Sequence, residues 1–280
     1  MKYIVITPVK NEAEHIRYTL DSVTGQTCLP SRWIIVDDGS TDNTAEIVTE
    51  YTHRYPWISL VRKHNTEEAR SGGVKVVRAF NTGCAEANLQ EYDFIVKLDG
   101  DLELPADYFE TVIHTFEQDE KTGICGGRIL NKYGNEFILE KSNDYHVRGA
   151  FKSVRTACFM QIGGFPETWN WDGLDEMKAM FYGWKTHVFE KDVKHYRPTS
   201  QAYNPYKHAY KSGKEYYCMR TDFILTFIRF LLRIPRKPYF AGACCFLYGY
   251  IAAFFTREPF TIDRPLGKFI NRFHYKRIFK

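Results

Sequence analysis

At 280 residues with 44% hydrophobic side chains, the chain has the material for one large globular domain or two small ones. A formal net charge of +4, with no interleaved aromatic and basic patch and no nucleic-acid module, argues against nucleic acid as a partner. Seven scattered cysteines without Cys-x-x-Cys or zinc-like spacing argue against a disulfide framework or structural zinc, and predict reduced thiols in a cytoplasmic setting.

Residues 2–7 read as a first buried strand, without the longer apolar core of a signal peptide. Ile16, Leu20 and Val23 recur at helical spacing within a helix predicted over Glu12–Val23 and ended by Gly25. Trp33–Val36 is a second apolar strand that stops at Asp37-Asp38-Gly39-Ser40. Ile58–Arg62 is a third strand, and a helix over Gly72–Ala87 carries Val74, Val77 and Phe80 on one face. Phe94, Ile95, Val96 and Leu98 form a fourth strand that delivers Asp99 and Asp101, separated by Gly100, to its carboxyl end. The β, α, β, α alternation with continuous apolar strands predicts an α/β fold, a mostly parallel sheet covered by helices on both faces.

Beyond Asp101, a helix is predicted near Ala106–Gln118, then a short strand at Gly123–Gly127, an irregular stretch over 131–150, and a tight turn at Gly163-Gly164. A loop with Trp169 and Trp171 leads to Asp175 and Glu176, placed at the start of a helix over Met177–Tyr182. From Asp222 the composition changes. Phe223–Arg233 is strongly apolar with two arginines, Tyr239–Thr256 has no charged residue, and from Arg257 onward seven Lys or Arg face two acids. Two helices lying in or dipping into a membrane interface are expected there, with membrane insertion and a plain C-terminal core helix pair as the alternatives.

Taken alone, an Asp-x-Asp after a strand is also what an ordinary acidic turn presents. Context raises it. Thr7 with its loop, Asp37 with Asp38, and Asp99 with Asp101 all fall at strand ends, where ligands of parallel sheets bind. Paired carboxylates suit Mg²⁺ or Mn²⁺, which keep positions open for water and phosphate oxygens.

With these clusters in order, the sequence resembles a family 2 glycosyltransferase of the GT-A fold, inverting and dependent on a nucleotide sugar. The resemblance covers residues 3–200. It rests on Thr7-Pro8-Val9-Lys10-Asn11-Glu12, Val36-Asp37-Asp38-Gly39-Ser40-Thr41-Asp42, Leu98-Asp99-Gly100-Asp101, Ile162-Gly163-Gly164-Phe165 and Gly173-Leu174-Asp175-Glu176. The resemblance implies that Thr7, Val9 and Asp38 line the nucleoside pocket, with Glu12 nearby, and that Asp99 approaches the ribose or a metal-bound water. It implies that Asp101 holds a divalent metal ion, Mn²⁺ or Mg²⁺, with His195 as a further ligand. It also implies that Asp175 is the general base. The family often has Glu-Asp where this chain has Asp175-Glu176, which leaves the base open between the two.

The implied organisation is a transferase domain over 1–218, with a nucleotide-binding half (1–101) and an acceptor half (102–218), and an apolar, basic helical segment over 219–280. The implied partners are a nucleotide-sugar donor, UDP-linked first, a glycan or lipid-linked acceptor, and the inner face of the plasma membrane. A metal-dependent phosphatase is the alternative enzyme. Glu103 stands where an Asp-x-Asp-x-Thr phosphatase motif has its threonine, and that reading leaves Asp37-Asp38 unexplained. A non-catalytic nucleotide-sugar-binding module is the other alternative.

Overall fold

The computed structural model describes residues 1–63, 73–197 and 204–279. The chain divides into two units, Met1–Pro198 and Thr199–Lys280.

In the first unit, β1 (Tyr3–Val9), α1 (Ile16–Thr24), β2 (Arg32–Asp37), α2 (Thr44–Arg54), β3 (Ile58–Arg62), α3 (Val74–Ala85) and β4 (Phe94–Leu98) follow the predicted alternation. After them come β5 (Leu102–Glu103), α4 (Tyr108–Gln118), β6 (Thr122–Tyr133), β7 (Glu136–Leu139), β8 (Phe151–Arg155), α5 (Thr156–Gln161), α6 (Trp171–Phe181) and β9 (Lys185–His195). One sheet runs β3-β2-β1-β4-β8-β6-β9-β5, with β7 on β6. Strands β3, β2, β1 and β4 are mutually parallel, as are β6 and β9, whereas β8, β7 and β5 pair antiparallel.

The parallel strands read as continuous apolar runs because both faces are covered. Tyr3, Val5 and Val9 pack with Ile16, Leu20 and Val48 on one side, and Ile4 and Ile6 with Val77 and Phe80 on the other. Tyr3 stacks on Phe94 at 4.6 Å between ring centroids, which joins β1 to β4 within the core.

Three local expectations are corrected. The stretch 131–150 is not all irregular: β6 runs on to Tyr133 and hairpins into β7, registered by pairs such as Asn131 with Ile138. The first helix begins at Ile16, after a turn closed by the Glu12 carbonyl. Helix α6 begins at Trp171 rather than Met177, so Asp175 and Glu176 lie in its second turn. Their burial there is an interior matter and not helix capping, since Leu174 and Met177 on the same helix face the core.

The second unit holds α7 (Pro205–Cys218), α8 (Phe223–Arg233), α9 (Tyr239–Phe255) and α10 (Arg264–Ile278). The boundary lies some twenty residues before the expected one after residue 218, because α7 and α9 interlock through glycines. A Cβ at Gly213 would sit 1.8 Å from the Phe246 carbonyl oxygen, and one at Gly249 would sit 2.0 Å from that of Tyr210. Asp222 and Asp263 cap α8 and α10 by accepting from the backbone N–H of Leu225 and Leu266. The Tyr275 hydroxyl donates to the Asp222 carboxylate and ties α10 to α8. No helix among the described residues is long and apolar enough to cross a membrane.

Candidate active site

The carboxyl ends of β2, β1 and β4 lie side by side, because Val9 is in register with Asp37 and Ile6 with Lys97. Gly100 is required where these ends meet: a Cβ there would stand 2.8 Å from Val9 Cγ1 and 3.0 Å from Ile16 Cδ1. Asp38 is anchored against β1 by its N–H donating to the Val9 carbonyl, and its carboxylate pairs with Lys63 at 2.8 Å. Glu12 is buried beside Gly100 with Oε2 3.1 Å from the Arg197 guanidinium, which also donates to the Asn11 carbonyl. Thr7 is turned inward, and its hydroxyl accepts from the Trp33 indole N–H at 2.9 Å. Thus Val9, Glu12 and Asp38 come together at the edge, whereas the Thr7 side chain belongs to the core.

Asp99 continues β4 into the β8 side of the sheet: its N–H donates to the Ala150 carbonyl at 2.7 Å. Its carboxylate pairs with the ammonium of Lys97, a lysine buried within the apolar strand. Lys97 is in register with Lys152 on β8, two like charges that would repel if unpartnered. Each ammonium has its own carboxylates, and each lies 5.5 Å from the centroid of the Trp171 ring. Lys152 donates to both oxygens of Asp175, at 2.9 and 2.8 Å, and to the Asp172 carbonyl at 2.7 Å, with Glu176 Oε1 3.2 Å away. Burial works against its charge, yet Asp175, Glu176 and Asp172 together hold the Lys152 ammonium above the usual lysine range. Burial, with Glu176 adding to it, lifts Asp175 to about 7 against the pull of Lys152.

These contacts separate the three acids of α6. Asp175 and Glu176 have no exposed side-chain surface, and Glu176 accepts from the Val147 N–H and meets the His146 imidazole. Asp172, in the first turn, keeps 30% of its side chain exposed, with one oxygen 4.0 Å from His146 Nε2. Its Cβ flanks Gly149, next to the Ala150 carbonyl that receives Asp99. Sequence reasoning passed over Asp172, Lys97, Lys152 and His146. The available signal was a lysine inside each of two apolar runs, since a fully buried lysine requires a partner.

Asp101 and His195 are brought together as expected. His195 closes β9 in register with Leu102, so it lies within the strand. Its Nε2 is 3.5 Å from Asp101 Oδ1, with side chains 6% and 2% exposed. A buried oxygen donor facing a buried nitrogen donor fits a divalent cation that takes its other ligands from water and phosphate. Among the described residues no group of three or more His, Cys, Asp or Glu side chains forms a fuller cage.

The model of glycosyl transferase family 2 matches residues 4–184. The poly-beta-1,6-N-acetyl-D-glucosamine synthase of Staphylococcus epidermidis is 27% identical over 206 residues, 66% of this chain and 45% of that protein. The O-antigen chain rhamnosyltransferase WbaN of Salmonella anatum is 27% identical over 164 residues, 51% of this chain and 48% of that protein. The chain thus spans about half the length of these curated relatives. Among solved structures, S. aureus TarS in complex with UDP-GlcNAc superposes with a TM-score of 0.58 at 18% identity, covering 91% of this chain and 73% of that one. The mannosyltransferase PcManGT of Pyrobaculum calidifontis, in complex with GDP-Man and Mn²⁺, gives 0.56 at 16% identity, covering 100% and 81%. These likenesses confirm the α/β GT-A fold, and with the family match over residues 4–184 they lead to one conclusion: the chain belongs to the family 2 glycosyltransferases.

Proposed function

We propose that the chain is an inverting, metal-dependent glycosyltransferase that moves a hexose from a nucleoside diphosphate sugar, UDP-linked first, to a hydroxyl of a glycan or lipid-linked acceptor. Cell-surface polysaccharide or glycolipid synthesis is the setting its relatives' names support. The observation that carries the reading is the buried Asp101–His195 pair at the same sheet edge as Asp38, Val9 and Asp99. Asp38, steadied by Lys63, accepts from the N–H of a pyrimidine base, and Val9 forms the pocket wall. Thr7 supports that wall by fixing Trp33. Asp99 meets the ribose, and Arg197, held by Glu12, faces the diphosphate. Asp101 and His195 would hold a divalent ion, which would supply positive charge to the leaving diphosphate.

The acceptor hydroxyl attacks the anomeric carbon from the side away from the nucleotide as the bond to the diphosphate breaks, so the configuration inverts. The base that takes the hydroxyl proton has to reach it. In this reading the role belongs to Asp172 and not to Asp175, because Asp172 is the α6 carboxylate with surface to offer and Asp175 is closed off by Lys152. Donor turnover tests the function. With Mn²⁺ present, nucleoside diphosphate should be released from one class among UDP-, dTDP- and GDP-sugars, and EDTA should stop it. Release from none of them, with hydrolysis of a simple phosphomonoester instead, would favour the phosphatase alternative.

The second unit supports a peripheral membrane address on an anionic cytoplasmic leaflet. Residues 199–280 carry 15 Lys and Arg against 4 Asp and Glu. Phe223, Ile224, Phe227 and Leu231 are exposed along one face of α8, as are Phe240, Tyr248 and Phe255 along α9. An apolar stripe with surrounding basic charge binds anionic bilayers by both terms, at about 1 kcal/mol per basic residue near the surface. The protein should co-sediment with phosphatidylglycerol vesicles and not with phosphatidylcholine vesicles. The double variant Ile224→Glu, Phe227→Glu should remain in the supernatant, and equal recovery with both lipids would remove this part of the reading.

A further inference from the structure

His195 closes β9, and its register partner on β6 is Asn131. Leu102 of β5 flanks His195 on the other side, so Asp101, which directly precedes β5, and Asn131 lie on either side of His195. Asn131 is 4% exposed, and its Oδ1 lies 2.9 Å from His195 Nδ1. Its Nδ2 donates to Glu140 Oε2 at 2.7 Å. The Arg148 guanidinium donates to the other oxygen of Glu140.

The chain of contacts fixes the proton at one end of the imidazole. A carboxylate that receives N–H donors on both oxygens is an acceptor, so the Asn131 face toward Glu140 is the amide NH₂. The face toward His195 is then the carbonyl oxygen, which only accepts. Nδ1 of His195 therefore carries a proton, and in the neutral ring the Nε2 lone pair faces Asp101.

We propose that Asn131 is a positioning residue for the cation site: it fixes the His195 tautomer so that Nε2 is offered as a ligand, and Glu140 with Arg148 fixes the orientation of the Asn131 amide. This rests on the reading of Asp101 and His195 as ligands. An imidazole whose second nitrogen is fixed in this way loses neither ring orientation nor a proton when it takes up a metal. Removing such a partner typically weakens metal binding about 10–100-fold.

The test uses the full chain, with Mn²⁺ as the probe in the presence of UDP, and nitrogen NMR of the His195 ring without metal at mildly alkaline pH. In the wild type the ring should show the Nδ1–H tautomer. Asn131→Leu should lose that preference and bind Mn²⁺ about 10–100-fold more weakly, with an unchanged melting temperature serving as the folding control. Asn131→Asp combined with Glu140→Gln, which keeps an acceptor toward Nδ1 and one donor between the two side chains, should restore both readouts, which a purely structural role for the residue would not predict. An Nε2–H tautomer in the wild type, or Mn²⁺ affinity unchanged in Asn131→Leu, would overturn the proposal. His195→Ala separates the two levels: if it binds Mn²⁺ as the wild type does, the ligand reading itself fails, and the positioning role with it. If His195→Ala weakens binding and Asn131→Leu does not, only the positioning role fails.

Discussion

Asp172→Asn is expected to lower kcat by about 10²–10⁴-fold, the range for loss of a positioned general base, with KM for the donor, nucleotide affinity and melting temperature unchanged. The substitution keeps the shape of the side chain and the backbone carbonyl that receives Lys152. It removes the carboxylate to which the proposed mechanism gives the hydroxyl proton, and leaves Asp175 and Glu176 to pair with Lys152. Asp175→Asn should behave differently. Asp175 has no exposed surface and is bound through both oxygens to Lys152, so its loss should appear first as lower stability. A fall in kcat confined to Asp175→Asn, with Asp172→Asn near wild type, would return the base to the position the sequence reading gave it.

Lys152→Met is expected to have the largest effect on stability, about 3–5 kcal/mol at neutral pH, because it leaves Asp175 and Glu176 buried beside each other without their cation. For a unit of this size that corresponds to a fall of roughly 6–20 °C in melting temperature. The pH dependence has a definite sign. Asp175 has its folded value raised from 3.8 to about 7, so its contribution to stability is full below 3.8 and is lost as pH rises through 7. Lys152, held above its ordinary 10.5, contributes at neutral pH and stops contributing as pH rises past its folded value. The variant should therefore lose least in mild acid, where Asp175 takes up its proton, and most from neutral pH upward. Thermal melts across that range check it, and a deficit independent of pH would mean that packing, not charge, is what Lys152 supplies.

Much of the fold was legible because it is written in local pattern. Apolar runs closed by Asp37 and by Asp99 marked β2 and β4, and helical spacing of Ile16, Leu20 and Val23 marked α1. The same pattern places Thr7 with its loop, Asp37 with Asp38, and Asp99 with Asp101 at one edge, though the Thr7 side chain itself turns into the core. What failed was whatever depended on distant partners. Asp175 and Glu176 look like first-turn acids until Lys152, on a separate strand, is seen to draw them inward. The loop expected to carry Trp171 is already helical there. Asn131, Glu140 and Arg148 sat in a stretch without periodicity, and only the β6–β9 register gives Asn131 its neighbour. The unit boundary moved because the fit of Gly213 against α9 is invisible along the chain.

The most direct test of the central claim, that donor nucleotide and divalent ion are bound together at the Asp101–His195 edge, is calorimetric titration of UDP into the full chain with Mn²⁺ and with EDTA. The account predicts binding with Mn²⁺, loss of most of it in EDTA, and the same loss in Asp101→Ala with the fold intact. UDP affinity indifferent to both the metal and Asp101 would contradict it.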